Sequence, residues 1–289
     1  MFSTMSPEES IRHNQQLITR FQQEIGIDAF NQAEQKIPLG KGIVLDEWPN
    51  LLQFFPSTES GWELEDDSIY FDTGGIVERD WTFDKEDDAR VSVWVFVSTG
   101  NEPKELLSRL AQFGIMTSKL NAYKLGPKDL GNISITTNAE TLYVDDIFWV
   151  NHNVLVKISR RESSVDVLTI AHSFNTYLNQ HIASNISNYA PKIDKIEISP
   201  TDAKINEPIW LKLEPVSKSD IPYLLGPELE STKDNNLDIQ SQDTLAIQLK
   251  IAKPGEFEIP MWVGDKRTLL SSRIVARVTV LPDNESNNH

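Results

Sequence analysis

The chain of 289 residues contains no cysteine. That absence removes disulfides, thiolate zinc sites, iron–sulfur clusters and thiol catalysis together. It leaves the redox compartment open, because a cysteine-free chain tolerates either. Basic side chains are scarce: 27 Lys and Arg stand against 43 Asp and Glu, a formal charge of -16. Nucleic-acid binders neutralise phosphates with clustered Lys and Arg, and anionic membranes attract the same residues. No nucleic-acid partner and no membrane partner is therefore expected. Long apolar runs are also missing. Val93 to Val97 is among the longest and is far too short to span a bilayer. The start Met1-Phe2-Ser3-Thr4-Met5-Ser6-Pro7 has neither a basic nor an apolar region, so no secretory signal is read. The expected location is the cytoplasm, or a virion or exported state reached without a cleavable signal.

Catalytic motifs are wanting too. G-x-S-x-G, H-E-x-x-H and a Walker loop are absent, and Gly40-Lys41-Gly42 reads as a turn fragment. Of the five histidines, His172 and His181 read as sharing one helix about half a turn out of phase, and His152 as a hairpin-turn residue. No cofactor, metal ligand or catalytic residue is assigned. Asp145-Asp146 and the acidic stretch are carboxylate candidates by residue type alone.

What is present is a core and a pattern. Hydrophobic residues make up 39% of the chain, and the length favours two domains. Ser6-Pro7-Glu8-Glu9 reads as a capped helix start, with Leu17, Ile18, Phe21 and Ile25 at helical spacing and Gly26 as terminator. A short helix is predicted from Asp46 to Phe55. Strands follow from Gly61. The strongest is Arg90 to Ser98, with Val91, Val93, Val95 and Val97 on one face and Trp94 and Phe96 on the other.

Glu102 to Phe113 reads as a helix. Thr141–Val150 and Asn153–Ser159 read as a hairpin around Asn151-His152-Asn153. Ser163 or Ser164 then caps a helix whose stripe is Val167, Leu168, Ala171, Phe174, Leu178 and Ile182. The order implies an α+β domain over residues 1–188, a mainly antiparallel sheet with packed helices. From Lys192 the pattern is period two throughout, with turn residues between the runs. An all-β sandwich over residues 192–283 and a polar tail at 284–289 complete the chain.

Three features place this second half beside a known class. They are Ile196-Glu197-Ile198-Ser199-Pro200, the Asn206-Glu207-Pro208 turn, and Pro254-Gly255-Glu256-Phe257-Glu258-Ile259. Residues 191–283 resemble the bacterial immunoglobulin-like modules, which implies a β-sandwich used for recognition, assembly or spacing. Phe257 departs from that pattern, standing where a tyrosine corner has its hydroxyl. Residues 1–188 resemble no family.

Two features bear on partners. The first hundred residues hold 7 basic and 19 acidic side chains, crowded around Asp84, Glu86, Asp87 and Asp88. Their readings are a solvated sheet edge, a dock for a basic protein, or a Ca²⁺ or Mg²⁺ site, although an EF-hand loop is excluded by Ala89 and Val95. The second feature is strand phase. If Ile209, Leu211 and Leu213 face inward, Trp210 faces out; if Phe257, Ile259, Met261 and Val263 face inward, Trp262 faces out. An exposed indole is a large apolar area that a domain, a protein or a sugar would cover.

The expected function is that of a non-enzymatic interaction or assembly protein with a basic or mixed-charge protein partner. A hydrolase or carbohydrate-active protein with the sandwich as accessory, or an effector or immunity factor, is the alternative.

Overall fold

The computed structural model describes residues 12, 15, 16, 19, 23, 25–58, 60–72, 76–86, 88–98, 103–116, 123–137, 144–161, 165–216, 223–227, 237–243 and 245–282. The chain divides into two compact units, residues 1–70 with 78–187, and residues 71–77 with 188–289. It is a mixed α+β protein, mostly strand, with several antiparallel sheets.

Of the helix expected from Ser6 to Ile25, only Arg12, Gln15, Gln16, Thr19, Gln23 and Ile25 are described, and all six are helical. Gly26 ends that run at φ 100, and a helix not foreseen in the sequence, α1 (Ile27–Lys36), starts at once. Next come β1 (Gly42–Ile43) and a single 3-10 turn at Leu51–Phe54. The helix expected from Asp46 is therefore only this turn. Asn50 caps it by accepting the Leu52 N–H at 3.1 Å, which places the start four residues later.

The strands β2 (Glu63–Asp72), β3 (Ile76–Lys85) and β4 (Ala89–Ser98) lead to α2 (Pro103–Met116). Then β5 (Tyr123–Leu125), β6 (Ile133–Thr137), β7 (Val144–Asn151) and β8 (Val154–Arg161) lead to α3 (Val167–Asn179). These strands build one seven-stranded sheet of order β2-β3-β4-β8-β7-β6-β5. The pairings β4–β8, β8–β7, β7–β6 and β6–β5 are antiparallel. β4 is central, and Val91, Val93, Val95, Phe96 and Val97 are all buried, as apolar residues on both of its faces require. The β7–β8 turn is the predicted one, with His152 in the left-handed region at φ 56.

One face of the sheet carries an aromatic core. Phe174 of α3 lies edge-on to Trp149 at 6.3 Å and stacks on Phe54 at 5.2 Å, while Trp48 meets Trp81 at 5.6 Å. Such offset and edge contacts add to burial because of the ring quadrupoles. Ser163 and Ser164 lie outside the described residues. The cap of α3 is Asp166, which accepts from the Leu168 N–H at 3.0 Å and the Thr169 hydroxyl at 2.7 Å. Val167, Ala171, Phe174 and Leu178 of the predicted stripe are buried, but Leu168 is exposed and Ile170 takes the inner position. Ile182 lies past the helix in β9 (Ile182–Ala183), which pairs with β1.

The second unit holds two four-stranded sheets. One is β10 (Ile193–Ser199), β12 (Ile209–Pro215), β15 (Ala246–Ile251) and β14 (Leu237–Asp243), in that order. The other is β11 (Asp202–Lys204), β17 (Ile274–Leu281), β16 (Gly255–Asp265) and β13 (Tyr223–Pro227). Alternate residues of both sheets meet in one core. Ile209, Leu211, Leu213, Ile247 and Leu249 come from the first, and Ile259, Met261, Val263, Ala276 and Val278 from the second. The unit is thus a β-sandwich. β11 runs parallel to β17, while the other pairings are antiparallel.

Candidate functional site

The acidic stretch does not form one free anionic surface. Asp84 accepts Arg90 Nε at 2.7 Å and Nη2 at 2.8 Å, and Glu65 accepts the same Nη2 at 2.9 Å. The Arg90 guanidinium holds Asp84 below its ordinary value, whereas Glu65 is raised by its hydrogen bond with Asp84. Asp67 is likewise held by Arg79 in a bidentate pair at 2.9 and 2.8 Å. Glu86 and Asp88 are exposed in the β3–β4 turn, with Asp88 at φ 60, and Asp87 lies outside the described residues. Among the described residues no group of three or more His, Asp or Glu side chains is placed to hold a metal ion. His181 lies beyond the end of α3 rather than on it, with Nδ1 2.9 Å from the Tyr177 carbonyl, so it shares no helix with His172.

A different set of charges converges on the sheet face opposite the aromatic core. Period two puts Glu78 and Asp80 of β3 on one face. On β4, β8 and β7 the register sets Trp94 opposite Lys157, and Lys157 opposite Phe148, with Asp146 two pairs further along and so on the same face. The Lys157 ammonium lies 4.2 Å from the Trp94 ring centre and 5.6 Å from that of Phe148. Cations favour such faces because of the negative charge of the ring surface. Asp146 is only 5% exposed, and its charge acts on Lys157 together with those of Asp80 and Glu78.

Neighbours on that face, Glu78 and Asp80 act on each other's titration, and Trp94 favours the ionised form of Asp80. Asp80 Oδ1 is buried and accepts no hydrogen bond. Burial is the chief cause that pushes Glu78 up to about 7 and Asp80 up to about 6; Lys157 opposes both. Burial lowers Lys157 itself, because desolvation penalises its charge. On the same face, α2 sets Arg109 over the Phe96 ring at 5.4 Å. The arrangement can hold and exchange protons close to neutral pH.

Glu78 and Asp80 belong to the acidic stretch read from the sequence, but Lys157 was not singled out. Its signal was there: a lysine between Val156 and Ile158 in a buried strand must find compensation for its charge.

The two tryptophans are not brought together. Trp210 lies on β12, outward and 43% exposed, between Ser199 and Gln248 on the neighbouring strands. Lys195 on the flanking strand pairs with Glu197 at 2.9 Å and Glu214 at 3.3 Å. Trp262 is on β16 of the other sheet, half-buried and opposite Gly226.

No family model and no curated protein matches the chain. Among solved structures, the human desmocollin-1 ectodomain is similar at 10% sequence identity and a TM-score of 0.24, over 79% of this chain and 52% of that one. The chain thus spans about half the length of that ectodomain. None of the described helices is long and apolar enough to cross a membrane.

Proposed function

We propose that the chain is a non-enzymatic interaction protein built from an α+β domain and an immunoglobulin-like module. The module docks a basic or mixed-charge protein through the outer face of β10-β12-β15-β14. Its strand order supports the immunoglobulin-like reading: lettered along the chain with β10 as A and β11 as a split-off part of A, the sheets run A-B-E-D and A′-G-F-C. The observation that carries the docking surface is Trp210, an exposed indole at one end of a charged row made by Glu197, Lys212, Lys195 and Glu214. An aromatic anchor beside charged side chains is a common feature of protein interfaces. The net charge of -16 favours encounter with basic partners. Trp262, in the opposite sheet, has no part in this surface.

The test compares proteins captured by the wild-type chain and by Trp210→Ala. A partner held by the former and lost from the latter, with an association rate that falls as salt rises, supports the reading. Identical captures by both baits refute it.

One observation favours an acid–base hydrolase instead: Glu78 and Asp80 share one strand face, and burial raises both. Glycosidases, however, keep their carboxyl groups about 5 Å or more apart to admit the reacting atoms. Glu78 and Asp80 are instead side-by-side neighbours two residues apart on one strand, not residues facing each other across a cleft.

A further inference from the structure

We propose that the outer edge of β2, over Glu63–Tyr70, takes up an extended basic segment of a partner protein as an added strand. β2 stands at one end of the order β2-β3-β4-β8-β7-β6-β5, and among the described residues no strand pairs with its outer side. The N–H and C=O groups that alternate residues turn to that side form a template for one more strand.

Proteins blunt such an edge by keeping it short, by proline or by charge. β2 has ten residues and no proline or glycine, so charge is what guards it. The strand carries Glu63, Glu65, Asp66, Asp67 and Asp72 and no basic side chain. Two of these carboxylates fasten it to the sheet: Asp67 is held by Arg79 of β3, and Glu65 by Arg90 of β4. Arg90 also holds Asp84, so that trio keeps a net negative charge. Glu63 and Asp66 are exposed, and among the described residues neither has a basic partner. Leu64 and Tyr70 are half exposed, and period two sets them on one face with Asp66. A strand laid along the edge would bring its own alternate side chains against them.

Charge decides the occupant. Two copies of β2 side by side would set carboxylates against carboxylates, which is destabilising. A segment with Lys or Arg at alternate positions meets the same groups with the opposite sign, and the net charge of -16 speeds its approach. Glu63–Tyr70 lies in the first unit and Trp210 in the second, so this edge does not depend on the Trp210 surface.

The experiment uses the full chain and a fluorescein-labelled peptide of about eight residues in which Lys alternates with Val. Binding is read by fluorescence anisotropy and its site by amide hydrogen exchange. The expected result is saturable binding that weakens as salt rises, with exchange slowed at the β2 amides turned away from β3. E63K/D66K should weaken it about tenfold, and Trp210→Ala should leave it unchanged. The same peptide methylated at every backbone nitrogen keeps its charge, loses its amide donors, and should bind at least about tenfold more weakly. Should E63K/D66K not fold, the two peptides compared on the wild type decide.

No binding up to about 1 mM overturns the proposal, as does equal binding of the methylated peptide. Loss of binding in Trp210→Ala places the peptide on the second unit and overturns it too. So does slow exchange of the outward β2 amides in the free chain. Slowing that grows with protein concentration assigns the edge to a second copy, and slowing that does not assigns it to a segment of the same chain.

Discussion

Asn153 and Ile43 pair as two strands do, with a side-chain amide standing in for one backbone. Asn153 Oδ1 accepts the Ile43 N–H at 2.6 Å, and Nδ2 donates to the Ile43 carbonyl at 3.3 Å. The β7–β8 turn thereby holds the short strand β1. Asn153→Ala leaves a buried N–H and carbonyl unsatisfied and should destabilise the first unit by about 1–3 kcal/mol, read from its urea midpoint. Asn153→Asp keeps the acceptor but sets a carboxylate oxygen against the Ile43 carbonyl in a buried site, so at neutral pH it should destabilise at least as much as Asn153→Ala.

Two glycines should respond differently to alanine. A Cβ on Gly42 would meet Ile186 Cγ2 at 2.5 Å and Asn153 Oδ1 at 2.6 Å, both side-chain atoms that can give way. Gly131 has φ 66, and its Cβ would press on the Val150 carbonyl oxygen, which is backbone held in the sheet. Gly42→Ala should cost about 1–3 kcal/mol by overpacking. Gly131→Ala adds left-handed strain and should lower the melting temperature further than Gly42→Ala does.

Asp166 caps α3 through the Leu168 N–H and the Thr169 hydroxyl, and the Thr169 hydrogen bond is the main cause that lowers its titration below 3.8. Asp166→Ala should cost about 0.5–2 kcal/mol at neutral pH. Because the folded value is depressed, the contribution is present above 3.8 and fades as pH falls through the folded value. Asp166→Asn retains an acceptor, and its stability should vary less over that acid range when followed by circular dichroism.

Neighbours on β12 offer a sharp contrast. Leu211 is fully buried in the sandwich core, and Leu211→Ala should cost about 2–5 kcal/mol. Trp210→Ala, one residue away on the solvent side, should change stability by no more than about 0.5 kcal/mol. Equal losses in thermal melts of the two variants would contradict the assigned phase.

The parts of the fold legible in the sequence are those where one face is wet. Ile209, Leu211 and Leu213, or Ile259, Met261 and Val263, alternate with outward residues and so announce both strand and phase. Short or locally decided elements escaped. β11 has three residues, too few for a period, and exists because β17 offers it a partner. The start of α3 was set by Asp166, whose side chain reaches two donors, rather than by the serines before it. The charges of Glu78, Asp80, Lys157 and Asp146 come from β3 and from the β7–β8 hairpin, which lies far along the chain from it. Only the sheet order and register bring them together, and neither is written in residue type.

The parallel pairing of Asp202, Ala203 and Lys204 with Thr279, Val280 and Leu281 has a mechanical consequence. Strands that run the same way carry the polypeptide into this sheet at one pole and out at the other. A pull along the chain would load their backbone bonds sideways and together, instead of unzipping them one at a time.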